Sequence, residues 1–260
     1  MREECTNTAI PDVIKPLNSD SAGHGCLVTA LDRRAIDRAK LATTPEQKRR
    51  LNCVKGDLTS ESSISTAFES ANRTFGPPSI LIANAGITDE SAHPPIWEIK
   101  TEIWDKVNSV NVRGTFLTIK YFLLSVKSYQ EEEQVELENV SIIVTGSETG
   151  KFGQEGHAEY ASGKAGLQYG LVKGVKNEIV RLNSTARINA VAPGWVATPL
   201  IGDRLDDPKE MWAECQATYV PTKAWNTLVQ FPWFLVHCKW QNSSSLPPLA
   251  KWLSVTSKSL

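Results

Sequence analysis

An α/β fold with a doubly wound parallel sheet is predicted by three observations. Short apolar runs alternate with helix-compatible segments from residue 26 to about 194, which is the pattern of β–α repetition. Asp32, Asp57, Asn84, Ser147 and Pro193 each follow one of those runs, so the chemically suggestive side chains gather at strand ends. The runs are rich in Val, Ile, Leu and Ala, as expected of strands buried on both faces.

In order along the chain, CLVTALD (26–32) is the first strand-like run and RLNCVKGD (50–57) the second, with a polar segment between them long enough for a helix or an irregular crossover. SESSISTAFESANRTFG (60–76) is an amphipathic helix closed by glycine, and PSILIANAG (78–86) is a buried strand running into a turn. Residues 101–128 form a long helix. A strand over 139–146, a helix over 158–182 and the strand RINAVAPG (187–194) complete the alternation. The acidic run EEEQVELE (131–138) is expected as a solvated loop. Ligands in such a fold bind outside the carboxyl ends of the strands.

At 260 residues with 41% hydrophobic content, one α/β domain with a sizeable core is the expectation. The net charge of −1 and the lack of a basic stripe argue against nucleic acid. Cysteines at 5, 26, 53, 215 and 238 have no CxxC spacing, which suits reduced thiols in a cytoplasmic protein, and His237 beside Cys238 has no partner motif for a metal. No apolar stretch reaches membrane-spanning length and the N-terminus lacks a signal-peptide core, so the sequons at Asn72, Asn139, Asn183 and Asn242 are expected to be incidental.

The chemistry centres on HAEYASGKAG, where Tyr160 and Lys164 are four residues apart. On a helix, positions i and i+4 share a face, so the lysine ammonium can sit beneath the phenol and favour its ionised form. A free phenol titrates at ~10, too high for a useful base at neutral pH. The spacing alone is weak, because a half-buried tyrosine beside a solvated lysine is common. Ser147, at the end of NVSIIVTGS, adds weight: a strand end and a helix face converge on one point.

Six ordered pieces resemble the short-chain dehydrogenase/reductase family over roughly residues 25–215: TALD, the GD of GDLTS, the NAG turn at 84–86, VNVRGTF, Ser147 with YASGK, and APGWVAT at 192–198. The resemblance implies a Rossmann-like domain over 25–215 and an NAD(P)-dependent oxidoreductase interconverting an alcohol and a ketone or aldehyde. It implies that Tyr160 is the acid/base, that Lys164 lowers its pKa and holds the nicotinamide ribose, that Ser147 hydrogen-bonds the substrate oxygen, and that Asn111 anchors a water path to Lys164. For the cofactor it implies Asp57 and Leu58 beside adenine, the Asn84–Ala85–Gly86 backbone along the adenosine side, and Pro193, Gly194, Val196 and Thr198 toward the nicotinamide, with Tyr160 and Lys164. Asp32 sits where a carboxylate would bind ribose hydroxyls, favouring NAD, while Arg33 and Arg34 keep NADP open. Trp97 and Trp195 are candidates for an apolar pocket wall. Relatives often pair through helices matching 101–128 and 158–182, so a homodimer or homotetramer is expected.

Both ends depart from the family pattern. No strand, glycine-rich loop and helix precede CLVTALD: SAGHGC offers Gly23 and Gly25 but has Val28 at the third glycine position, and Pro11 and Pro16 bracket the only earlier apolar stretch. Residues 1–24 are expected to be an atypical, poorly ordered segment. The family's first strand is central, so its absence predicts a gap in the sheet or neighbours forced together. Residues 216–260 form an atypical tail without Asp or Glu that holds four of the eight tryptophans and lacks the family's last strand, as misjoined exons or an alternative splice product would give. The second reading is therefore a derivative that keeps the catalytic half but does not grip dinucleotide normally.

Overall fold

In the computed structural model, residues 26–89 and 93–194 are described, together with the backbone of 234–237. The elements run β1 (Leu27–Asp32), α1 (Arg38–Leu41), α2 (Pro45–Arg49), β2 (Leu51–Lys55), α3 (Glu61–Phe75), β3 (Ile80–Ala83), α4 (Thr101–Asn108), α5 (Gly114–Glu133), β4 (Ser141–Thr145), α6 (Thr149–Phe152), α7 (Ala158–Ala165), α8 (Val172–Ile179), β5 (Arg187–Val191) and β6 (Phe234–His237). Two π-turns, Ser109–Arg113 and Gly166–Leu171, join α4 to α5 and α7 to α8, making two continuous rods.

Local chemistry sets the boundaries. Thr44 and Gln47 form a reciprocal capping box with Pro45 in the first turn of α2, and Ser60 caps α3 by accepting the Ser63 N–H. Gly76 ends α3 at φ +81°, a left-handed conformation that favours glycine. The helix α5 runs further than expected, so Glu131, Glu132 and Glu133 are its exposed last turn and only the remainder of the acidic run is loop. Asn183 is buried and donates to Gln130 Oε1 and the Leu137 carbonyl, so its sequon serves packing.

The sheet order is β2-β1-β6-β3-β4-β5. Strands β1 with β2, β3 with β4, and β4 with β5 pair in parallel, as expected. Alternation along the strands divides the core between two faces. Leu81, Ala83, Ile142 and Val144 pack with Ile64 and Phe68 of α3 and with Leu117 and Phe122 of α5, while Val28, Ala30 and Ile82 pack with Leu41 and Leu51 on the other side.

The centre of the sheet corrects the sequence-based expectation. Neither a gap nor a collapse is found: β6, from the tail, lies between β1 and β3 and runs antiparallel to both, with Val28 and Ile80 each opposite Val236. Backbone hydrogen bonding explains why. Inner edges of β1 and β3 buried without partners would leave a row of costly unsatisfied amides and carbonyls. A four-residue extended segment satisfies both edges, whatever its direction. Part of the atypical tail therefore belongs to the same sheet as the domain.

Candidate active site

Parallel pairing within β1–β2 and within β3–β5, with β6 antiparallel to both β1 and β3, places the carboxyl ends of β1 to β5 on one rim. Thr145, the last residue of β4, binds β3 and α7 together there: its hydroxyl donates to Asn84 Oδ1 at 2.7 Å and its carbonyl accepts from Lys164 Nζ at 2.7 Å. Lys164 is only 3% exposed, and its Nζ lies 5.5 Å from the centre of the Tyr160 ring. Burial lowers the Lys164 pKa from 10.5 to about 8. The lysine thus reaches from its helix, past the phenol it shares a face with, to the end of the strand that delivers Ser147.

Asn111 lies in the first π-turn and is buried. Its Oδ1 accepts the Ile87 N–H and its Nδ2 donates to the Ile87 carbonyl, both at 2.8 Å, so both faces of the amide are used by the loop after β3. Gly86 sits against this cluster. A Cβ there would stand 3.2 Å from Asn111 Oδ1 and 3.5 Å from Lys164 Nζ.

Ser147 is buried, and its Oγ accepts from the Thr149 N–H at 3.2 Å and the Thr149 hydroxyl at 3.0 Å. Its own N–H donates to Gln168 Oε1 at 2.7 Å. The neighbouring Glu148 N–H donates to the Pro193 carbonyl, and a Cβ on Gly194 would lie 2.8 Å from Glu148 Oε2. Burial pushes the Glu148 carboxyl above the usual range. Gln168, Thr149 and Glu148 do not stand out in the sequence; their roles come from how the turn after β4 folds back, which no residue spacing announces.

At the other end of the rim, Asp32 Oδ1 accepts the Arg34 N–H at 2.7 Å and lies 3.8 Å from Arg34 Nε; Arg33 and Arg34 are both exposed. Asp57 Oδ1 accepts from the N–H and hydroxyl of Thr59, both at 2.8 Å, closing the turn before α3. Leu58 packs into the core beneath Gly114, where a Cβ would come within 2.8 Å of it. Trp97 is 81% exposed. Trp195, Val196 and Thr198 lie outside the described residues.

Among the described residues no group of His, Cys, Asp and Glu is arranged to hold a metal ion, and no helix is long and apolar enough to cross a membrane. The sheet and its rim define a Rossmann-like α/β domain in which the end of β4 is tied to the helix bearing Tyr160 and Lys164. The short chain dehydrogenase family model matches residues 19–209, and the chain belongs to that family. It is 32% identical to the human (3R)-3-hydroxyacyl-CoA dehydrogenase over 191 residues, covering 69% of this chain and 67% of that one. It is 31% identical over 144 residues to the 3-oxoacyl-(acyl-carrier-protein) reductase of Thermotoga maritima, covering 55% of this chain and 53% of the relative. The chain thus spans about half the length of several curated relatives it matches. A 3-ketoacyl-(acyl-carrier-protein) reductase of Brucella melitensis, crystallised with NADH, shares the fold with a TM-score of 0.55 at 22% identity, over 74% of this chain and 82% of that one. A gluconate 5-dehydrogenase of Burkholderia cenocepacia, in complex with NADP and tartrate, aligns with a TM-score of 0.55 at 22% identity, over 70% of this chain and 66% of that one.

Proposed function

We propose that the chain is an NAD(P)-dependent oxidoreductase that interconverts an alcohol and a ketone or aldehyde. The observation that carries this reading is the buried Lys164 ammonium held between Thr145 O and the Tyr160 ring. In reduction the Tyr160 hydroxyl gives its proton to the carbonyl oxygen; in oxidation the phenolate takes the proton from the alcohol, with Lys164 favouring the ionised form. Ser147 donates its hydroxyl hydrogen to the same oxygen as charge develops there. Asn111 fixes the loop after β3 against the first rod and, as the family resemblance suggests, anchors a water path to Lys164.

A bound nicotinamide supplies the hydride chemistry. The residues present fit its two flanks. Lys164 and Pro193–Gly194 suit the nicotinamide side, to which the family resemblance also assigns Val196 and Thr198, and Asp32, Asp57, Leu58 and the Asn84–Gly86 backbone suit the adenosine side. Asp32 favours ribose hydroxyls and hence NAD, while Arg33 or Arg34 leaves a 2′-phosphate acceptable.

The second reading, an impaired derivative, is favoured by β6. Its direction puts its N-terminal end, opposite Ala30 and Ile82, at the catalytic rim. The position where a parallel central strand would hand on to a phosphate-binding loop and helix is therefore taken by a strand that points away. The relatives' naming as dehydrogenases and reductases supports the first reading. Pairing of copies through the two rods, whose surfaces expose Phe116, Leu124 and Tyr169, accompanies either.

Fluorescence titration with NADH and NADPH, followed by turnover on a panel of alcohols and ketones, separates the two. The expected result is saturable binding, tighter for NADH, and a fall in kcat of about 10²–10⁴-fold in Tyr160→Phe with cofactor affinity kept. No binding at millimolar dinucleotide would establish the derivative instead.

A further inference from the structure

Gln168 is four residues beyond Lys164 and eight beyond Tyr160, in the π-turn Gly166–Leu171, and like Lys164 it reaches the end of β4. It is buried, 7% exposed, and reaches back to the turn after β4, where its Oε1 accepts the Ser147 N–H at 2.7 Å. Two glycines make room for it. A Cβ on Gly146 would overlap the Gln168 side chain, and a Cβ on Gly150 would come within 2.7 Å of Oε1. The glycines of G-S-E-T-G thus leave a slot that the glutamine fills.

The consequence for Ser147 follows from its hydrogen-bonding capacity. A serine has one N–H, one O–H and two acceptor lone pairs on its hydroxyl. Gln168 takes the N–H, and the N–H and hydroxyl of Thr149 occupy the lone pairs. What remains is the hydroxyl hydrogen.

We infer that Gln168 is the positioning residue of Ser147: it ties the end of β4 to the rod bearing Tyr160 and Lys164, and with Thr149 it leaves the Ser147 hydroxyl as a donor only. This rests on the reading of Ser147 as the group that meets the substrate oxygen. Under that reading, the serine's polarity is fixed before substrate arrives, and a substrate oxygen is met by a donor instead of by a hydroxyl that must turn. The Gln168 amide and the Lys164 ammonium on Thr145 O together hold the end of β4 against the rod that bears the Tyr–Lys pair.

A double-mutant cycle tests this, using Gln168→Leu and Ser147→Ala singly and together, with Gln168→Glu as the variant that retains an acceptor at the same reach. Gln168→Leu is expected to lower kcat by about 10–10²-fold with little change in cofactor affinity, the size associated with misplacement of a catalytic group. The same change in the Ser147→Ala background should cost almost nothing, and Gln168→Glu should restore most of the rate. Hydrogen exchange at the Ser147 amide, followed by NMR, should accelerate in Gln168→Leu and stay slow in Gln168→Glu. An equal loss in both backgrounds, or a Ser147 amide whose exchange ignores Gln168→Leu, overturns the inference. If the wild-type chain binds no dinucleotide and turns nothing over, the oxidoreductase reading fails by itself. The amide exchange then decides the tether: acceleration sustains it, and no change removes it.

Discussion

Lys164 carries a cost as well as a role. Its ammonium is buried with one carbonyl acceptor, Thr145 O, and desolvation brings its pKa from 10.5 to about 8. Below pH 8 both the folded and the unfolded chain hold the proton, and the folded state bears the cost of burying the charge. Between about 8 and 10.5 the folded chain has released a proton that the unfolded chain still binds, so this group makes stability rise with pH, and above 10.5 the cost is gone. Chemical denaturation of the wild type and Lys164→Met at several pH values checks the sign. The wild type should gain on the variant by on the order of 3 kcal/mol from pH 7.5 to 10.5, at ~1.4 kcal/mol for every tenfold change in the acid dissociation constant. A difference that stays flat would show that the lysine is not buried as a cation. The Tyr160–Lys164 spacing and the serine at a strand end were legible in the sequence because helix and strand periodicities fix them. Gln168 and Thr149 were not, because their contacts depend on a backbone turn and a π-turn that leave no periodic trace.

At the level of elements, the two π-turns are where the helical rods meet the site. Each interrupts a helix that the sequence predicted as continuous, and each holds the polar residue that ties the rod to a strand end: Asn111 to Ile87 after β3, Gln168 to Ser147 after β4. A widened turn brings a side chain inward without ending the helix. Composition hides it, since VNVRG and GLQYG are ordinary helix-compatible runs. Asn111→Leu would leave the N–H and carbonyl of Ile87 without their partner. At about 1–3 kcal/mol for each buried group left unsatisfied, the expected destabilisation is about 2–5 kcal/mol. A urea midpoint that falls accordingly at unchanged m would bear this out, whereas a shift below ~0.5 kcal/mol would mean that water takes the amide's place.

For the molecule as a whole, the strand alternation, the parallel pairings and the rim could all be read from the sequence, because buried parallel strands appear as apolar runs closed by turn residues. The identity of the central strand could not. Phe234–His237 lies in a tryptophan-rich stretch whose periodicity does not distinguish a strand from any other apolar segment, and its partners, β1 and β3, are far away along the chain. Removing residues 230–260 should strip both inner edges of their hydrogen-bond partners. The truncated chain is expected to lose its cooperative thermal transition by circular dichroism and to aggregate on gel filtration. A truncated monomer with an unchanged melting temperature would show that β6 contributes nothing to the sheet. The placement of β6 also dictates the order of assembly. Leu27 pairs with His237, about two hundred residues later, so the halves β2-β1 and β3-β4-β5 are complete long before the strand that joins them has been synthesised. Pairing over such a span is slow, and until it happens both half-sheets display open edges. Until β6 is made, the two half-sheets are linked only through shared core side chains and the helices over them, and that interval is when chaperones, or a neighbouring chain's strand, have access to the centre.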